Sequence, residues 1–246
     1  MSGHSKWANI KNKKAKTDAA KGKIFTKLGR ELAVAAKAGA DPSTNSKLAD
    51  VIAKAKAANM PNDNITRSIK KAAGELGNVN YEVKTYEGYG IGGSAVIVKT
   101  LTDNVNRTVG EVRHIFDKYA GNMGTTGSVS YMFENKGVLI IERTVDLLED
   151  TVMEMALDAG ADDVIVEDDI FEIRTQPSDF SSVRKYFEEK NIVFAEADIL
   201  MIPNDKIELS SDQLVTFYKM LDAFDDNDDV QDVYHNVSLP EEADEE

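Results

Sequence analysis

Between residues 137 and 204 the chain spells strand, helix, strand, strand, helix, strand, and few folds satisfy that order. The run VLIIE is followed by a helical pattern that stops at Gly160, then by the paired runs DVIVE and FEIRT, a helix over residues 178–190 and the strand VFAEADIL. This succession is the ferredoxin-like βαββαβ plan. On its N-terminal side, residues 94–100 (SAVIVKT) read as a strand, 106–119 as a helix and 128–133 as another strand. The helix turns Val109, Val112, Phe116 and Tyr119 inward, with Asn104 or Asn106 as its cap. On the C-terminal side come a helix carrying Leu214, Phe217, Leu221 and Phe224, and a last strand around residues 233–237. Those two elements are too few for a unit of their own, so they are expected to return to the module begun at Tyr81.

Before Gly77 the apolar spacing is helical instead. Ile24, Phe25, Leu28 and Leu32 mark a first helix that starts near Thr17 or Asp18 and stops at Gly39. Leu48, Val51, Ile52 and Ala55 mark a second, after the turn Asp41-Pro42-Ser43, and Ile65 and Ile69 a third, from Pro61 to Gly74. The expected fold class is α+β: a small N-terminal helical bundle followed by two α+β domains, one ferredoxin-like and inserted in the other. The boundaries predicted are residues 1–77 for the basic arm and helical domain, 78–135 plus 206–240 for one α+β domain, 136–205 for the insertion and 241–246 for an acidic tail.

Charge follows the same division. Residues 1–77 hold 16 Lys and Arg against 6 Asp and Glu, a surplus of ten positive charges, while the remainder holds 13 against 37. An acidic chain argues against a polyanion partner only when its charges are mixed, and here they are segregated. Cysteine is absent, which removes disulfides, thiolate metal sites and thiol catalysis together. No apolar run approaches the roughly 18 residues of a membrane helix, and the N-terminus lacks the apolar core of a signal peptide and the arginines of a mitochondrial leader. A cytoplasmic protein without membrane attachment is expected.

The strongest functional signal is the lysine cluster. Lys6, Lys11, Lys13, Lys14, Lys16, Lys21 and Lys23 crowd the opening residues with only Asp18 opposed, and Lys27, Arg30, Lys54, Lys56, Arg67, Lys70 and Lys71 continue the charge. Clustered ammonium groups neutralise phosphates and release condensed counterions, so nucleic acid is the expected partner. The bland reading is a solvated arm, or one that folds back on the acidic domains. Trp7 is placed to stack on a base or to pack on the bundle. No clear helix-turn-helix turn is present, which favours phosphate contacts over base reading.

Other motifs fail on context. The glycines of residues 88–93 (GYGIGG) lead into a strand rather than a helix, so they do not form a dinucleotide fingerprint and are expected to make a hairpin or bulge. Residues 121–127 (GNMGTTG) join a helix to a strand without the Lys of a phosphate loop; either an ordinary turn or a backbone contact to nucleic acid fits. His4, His114 and His235 are far apart. Asp225, Asn227 and Asp229 imitate the start of a calcium loop, but Val230 stands where glycine is required and Asn236 where the bidentate glutamate belongs. The pairs Asp162-Asp163 and Asp168-Asp169 read as solvated turn carboxylates. No catalytic residue, metal site or cofactor is expected, and the chain is not read as an enzyme.

With the opening MSGHSKWANIKNKKAKTDAAKGKIFTKLGRELAVAAKAG, the stretch NMPNDNITRSIKKA, the loop YEGYG, TDNVNRT and GNMGTTGSVSYMF in view, the sequence resembles the YebC family along essentially its whole length. The resemblance implies a three-domain α+β architecture with a basic helical N-terminal domain. It implies either a DNA-binding transcription regulator or a translation factor on the ribosome, as in the related mitochondrial translational activator, so duplex DNA, ribosomal RNA and the ribosome are the candidate partners. It carries over the lysines of residues 6–23 as the basic motif and adds Arg107 of TDNVNRT. Two positions depart from the pattern. Val105 stands where relatives often carry a basic residue, which weakens the phosphate grip expected of this loop, and Ile91 stands where the glycine loop often has proline, which frees its backbone. A protein-interaction adaptor that uses the ferredoxin-like sheet or the acidic surface is the remaining alternative.

Overall fold

The computed structural model describes residues 18–72 and 80–240. Within them lie seven α-helices and two four-stranded antiparallel sheets, an α+β fold. Three helices come first: α1 (Asp18–Ala35), α2 (Ser46–Ala57) and α3 (Asn62–Ala72). Leu28, Leu32, Leu48, Ala55, Met60 and Ile65 form their shared core, at the spacing the sequence predicts. Asn45 joins the first two helices, because its side-chain oxygen accepts from Leu48 N at the start of α2 while its amide donates to the carbonyls of Ala35 and Gly39. The predicted stop of α3 at Gly74 lies outside the described residues.

The first sheet contains β1 (Glu82–Tyr89), β2 (Ala95–Thr102), β3 (Asn122–Met123) and β8 (Val230–His235), in the order β3-β1-β2-β8. Between β2 and β3 runs α4 (Val105–Lys118), capped by Asn104, whose side chain accepts from Arg107 N at 3.1 Å. The second sheet contains β4 (Phe133–Glu142), β5 (Asp163–Val166), β6 (Ile170–Thr175) and β7 (Glu196–Pro203), with α5 (Glu149–Ala159) and α6 (Phe180–Glu189) between them. Its order, β5-β6-β4-β7, is what a βαββαβ chain makes when both connections cross over. Then α7 (Ser211–Asp225), held by a Ser210–Gln213 capping box, leads back to β8 in the first sheet.

Alternation along the strands stacks these elements in four layers. Val96 and Val98 of β2 face α4 and α7, where they meet Val112, Phe116, Phe217 and Phe224. Ala95 and Ile97 face the other way and pack on Val138, Ile140, Ile170 and Leu200 of the second sheet. Leu139 and Ile141 of β4 then point outward to Val152, Val183 and Phe187 of α5 and α6. Covering both faces explains why β2 and the end of β4 read as continuous apolar runs rather than alternating ones.

Two local expectations are corrected. Residues 128–133 are not a strand: residues 130–132 form a 3₁₀ turn and β4 begins only at Phe133. The cause is Glu87, whose carboxylate accepts from the amides of Gly127, Val129 and Ser130 at 2.8–2.9 Å and so takes donors that a ladder would need. Along α4, Val109 and Tyr119 are only half-buried while Thr108 and Ile115 are buried, so its inner face is rotated from the predicted one.

The glycines offer a direct check. A Cβ on Gly121 would lie 2.7 Å from Tyr89 O and 3.1 Å from Phe116 O, both fixed backbone, whereas one on Gly110 in α4 would meet nothing within 4 Å. Gly121→Ala is expected to destabilise by about 1–3 kcal/mol, and Gly110→Ala to stabilise by roughly 0.5–1 kcal/mol through helix propensity, both read from urea denaturation midpoints.

Candidate nucleic-acid interface

Two sets stand out among the basic residues of the helical bundle, and Asp229 governs the first. This buried aspartate lies just before β8, where its carboxylate meets four side chains. Arg107 donates to Oδ2 at 2.6 Å, the hydroxyls of Thr102 and Thr108 lie at 3.0 and 2.7 Å from the same oxygen, and Arg30 donates to Oδ1 at 2.7 Å. Arg30 also donates to the carbonyls of Leu101 and Asp228. Burial alone would push the Asp229 carboxyl up, but the bonds from Arg107, Thr108, Arg30 and Thr102 outweigh it and hold the group down at about 2. Arg107, bonded to Asp229 and Asp103, is raised further above its ordinary range.

Two more α1 cations meet the same stretch of chain. Lys27 donates to the carboxylate and the carbonyl of Asp225 at 3.1 and 3.2 Å, and Lys23 to Asp226 at 2.5 Å. Residues 23, 27 and 30 share one helical face, so α1 presents a row of cations to residues 225–229 at the C-terminal end of α7, where the helix's free carbonyls add negative potential. Further along the contact, Lys54 of α2 lies between Asp198 at 2.5 Å and Glu31 at 3.4 Å. Loss of solvent disfavours the Lys54 charge, yet Asp198, Glu31 and Asp232 raise its pKa well above the lysine range. Asp50 completes the contact, pairing with Arg184 at 2.8 Å and accepting from Ser181 at 2.6 Å.

The second set points to solvent. Lys56 on α2 and Arg67, Lys70 and Lys71 on α3 are exposed and make no ion pair with any described residue. Arg67 stands three and four positions before the two lysines, which places all three on one face of α3. The turn between α2 and α3, residues 58–61, is tight, with Asn59 at φ 58°. The sequence places this break at Met60-Pro61, and asparagine rather than glycine takes its left-handed conformation.

Of the predicted site residues, Lys6, Trp7, Lys11, Lys13, Lys14 and Lys16 lie outside the described residues, and Lys21 is exposed. Lys23, Lys27, Arg30 and Arg107 are brought together, but against carboxylates. A cleft of about 430 Å³ beside them sets two arginines, Arg30 and Arg107, against five acidic side chains. The acidic run, read from sequence as a failed calcium loop, is thus the counter-charge of α1.

The glycine-rich stretches adjoin each other, since Gly88 and Tyr89 pair with Met123 and Asn122. The first closes the β1–β2 hairpin, with Gly92 and Gly93 at positive φ. In the second, Gly124 N donates to Glu87 O and Gly127 N to the Glu87 carboxylate, so both amides are engaged within the protein. His235 stacks edge-on against Phe217 at 5.0 Å, and His114 is exposed on α4. Among the described residues no group of three His, Cys, Asp or Glu is arranged to hold a metal, and no helix is long and apolar enough to cross a membrane.

Asp229→Ala removes the shared acceptor of Arg30, Arg107 and two buried hydroxyls, and is expected to destabilise by about 3–5 kcal/mol in urea denaturation. Because the folded-state pKa is depressed, the stabilisation from this carboxylate is complete above the ordinary aspartate range near 4 and is lost as pH falls through about 2. Below pH ~4 the melting temperature should therefore fall more steeply in the wild type than in Asp229→Asn.

Comparison with known proteins agrees with this architecture. Residues 5–75 match the TACO1/YebC protein N-terminal domain and residues 81–237 the TACO1/YebC second and third domain. A protein of Acetivibrio thermocellus is 59% identical over 238 residues, covering 96% of this chain and 98% of its own. One from Clostridium novyi is 57% identical over 243 residues, covering 98% and 99%. Both carry the name probable transcriptional regulatory protein. The crystal structure of a conserved hypothetical protein from Aquifex aeolicus superposes with a TM-score of 0.82 at 40% identity, covering 94% of this chain and 96% of that one. With matches spanning both the helical lobe and the two sheets, the chain belongs to the TACO1/YebC family.

Proposed function

We propose that this protein is a regulator of gene expression that binds nucleic acid by gripping phosphates with its helical lobe. The observation that carries this reading is the exposed row Arg67, Lys70 and Lys71 on α3, joined by Lys56 on α2, which makes no ion pair among the described residues, whereas Lys23, Lys27, Arg30 and Lys54 each meet a carboxylate. Fixed, solvent-facing cations on one helical face suit a regular array of phosphates, and the excess of acid elsewhere repels the same polyanion from the rest of the surface. The lysines at positions 6, 11, 13, 14, 16 and 21 extend this charge along the sequence, with Trp7 among them.

The names of the relatives make duplex DNA the first ligand to test. Ribosomal RNA is the competing one, and its selection would place the protein on the ribosome as a translation factor. Either ligand would be met inside the cytoplasm, without a membrane.

Titration against a mixed-sequence duplex and a ribosomal RNA fragment, each at several salt concentrations, tests the reading. Arg67→Gln with Lys70→Gln and Lys71→Gln is expected to weaken binding and to flatten the slope of log affinity against log salt by roughly 2 to 3, the loss of three phosphate contacts. Unchanged affinity and slope in this variant would remove α3 from the interface. Absence of binding to either nucleic acid would leave a protein-interaction adaptor as the better account.

A further inference from the structure

The contact between the helical lobe and the two-sheet body is made of charge rather than of shared core. The apolar cluster of the bundle draws only on residues 24–69, and the clusters of the body draw only on residues 86–239. The ion pairs that join them are Lys23 to Asp226, Lys27 to Asp225, Arg30 to Asp229, Lys54 to Asp198 and Asp50 to Arg184, beside hydrogen bonds from Arg30 to the carbonyls of Leu101 and Asp228 and from Ser181 to Asp50. Polar contacts between folded units permit relative motion, and ion pairs near the surface weaken as salt rises.

The acidic side of this contact resembles what the basic side is proposed to bind. Carboxylates at 225, 226 and 229 meet cations at 23, 27 and 30, three positions on one helical face that would otherwise be free to meet phosphates. The pairs are also graded. Lys23–Asp226 is largely exposed, with 74% of the Asp226 side chain open to solvent, whereas Asp229 is 3% open. Loss of Arg30 would still leave Asp229 Oδ2 with Arg107, Thr102 and Thr108, all on the body, while Oδ1 would open to water as the lobe departs.

We infer that residues 225–229 act as an internal competitor for the cations of α1: nucleic acid binds by displacing these carboxylates, which frees Lys23, Lys27 and Arg30 for phosphate and releases the helical lobe from the body. This rests on the nucleic-acid reading above and adds its regulation. The closed form presents the exposed cations of α2 and α3, and the open form adds the α1 face to them.

The test uses the full chain and two readouts. Duplex DNA and ribosomal RNA are titrated against the wild type, against Asp225→Asn with Asp226→Asn, and against the α3 triple variant. Separately, spin labels are attached at Asn62→Cys and Ser211→Cys, both exposed; the chain has no other cysteine, so labelling is confined to these sites. The acid variant should bind about tenfold tighter, as expected for removing two partly exposed competing pairs, and its labels should stand farther apart than those of the wild type even without ligand. In the wild type the label distance should grow as nucleic acid is added. If the acid variant binds no tighter while the α3 variant still loses binding, the competitor is refuted and the nucleic-acid reading survives. An unchanged label distance at saturating ligand refutes it equally, and absence of binding in every variant removes both.

Discussion

One carboxylate, that of Asp229, fixes the relation of four distant pieces of chain. It ties the end of β2 through Thr102, the first turn of α4 through Arg107 and Thr108, the middle of α1 through Arg30, and the start of β8 through its own backbone, where Asp229 O accepts from Leu101 N. A buried charge is tolerated only when its oxygens are engaged, and here each is met by an arginine. The position of the helical lobe and the return of the last strand thus depend on the same two oxygens.

The rest of the molecule divides between two kinds of cohesion. Apolar layers hold the body: helices, sheet, sheet and helices, each strand alternating between neighbours. Such cohesion does not rest on paired charges. The lobe is held instead by attraction between a basic segment and an acidic one, the same asymmetry that the sequence shows between residues 1–77 and the remainder. Charge segregation in this chain is therefore turned inward. Lys54, wedged between Glu31 and Asp198, is as much a fastening as a candidate contact.

What sequence could show was periodicity. Ile24, Leu28 and Leu32 announced α1, and the order of apolar runs across residues 137–204 announced a sheet of ferredoxin-like order. Partnership across long separations was not legible. Nothing in a hydropathy pattern says that Glu87 takes three amides from residues 127–130 and cancels an expected strand, or that polar Thr108 is buried because Asp229 needs its hydroxyl. The lysines on α1 looked free for phosphate because their partners stand about two hundred residues away. One signal was available: cations at 23, 27 and 30 on one helical face, and an acidic run at 225–229 too irregular for calcium.

The return of β8 to the first sheet also sets a schedule for synthesis. β2 pairs with β1 as soon as both exist, but its other edge waits for residues 230–235, which are made after the whole second sheet. Pairings of such long sequence separation form late and slowly. Until they form, an apolar strand edge stays open and Arg30 and Arg107 lack their common carboxylate, so the nascent chain is more positive at this point than the finished protein. Residues 229–235 thus both close the sheet and quench the charge.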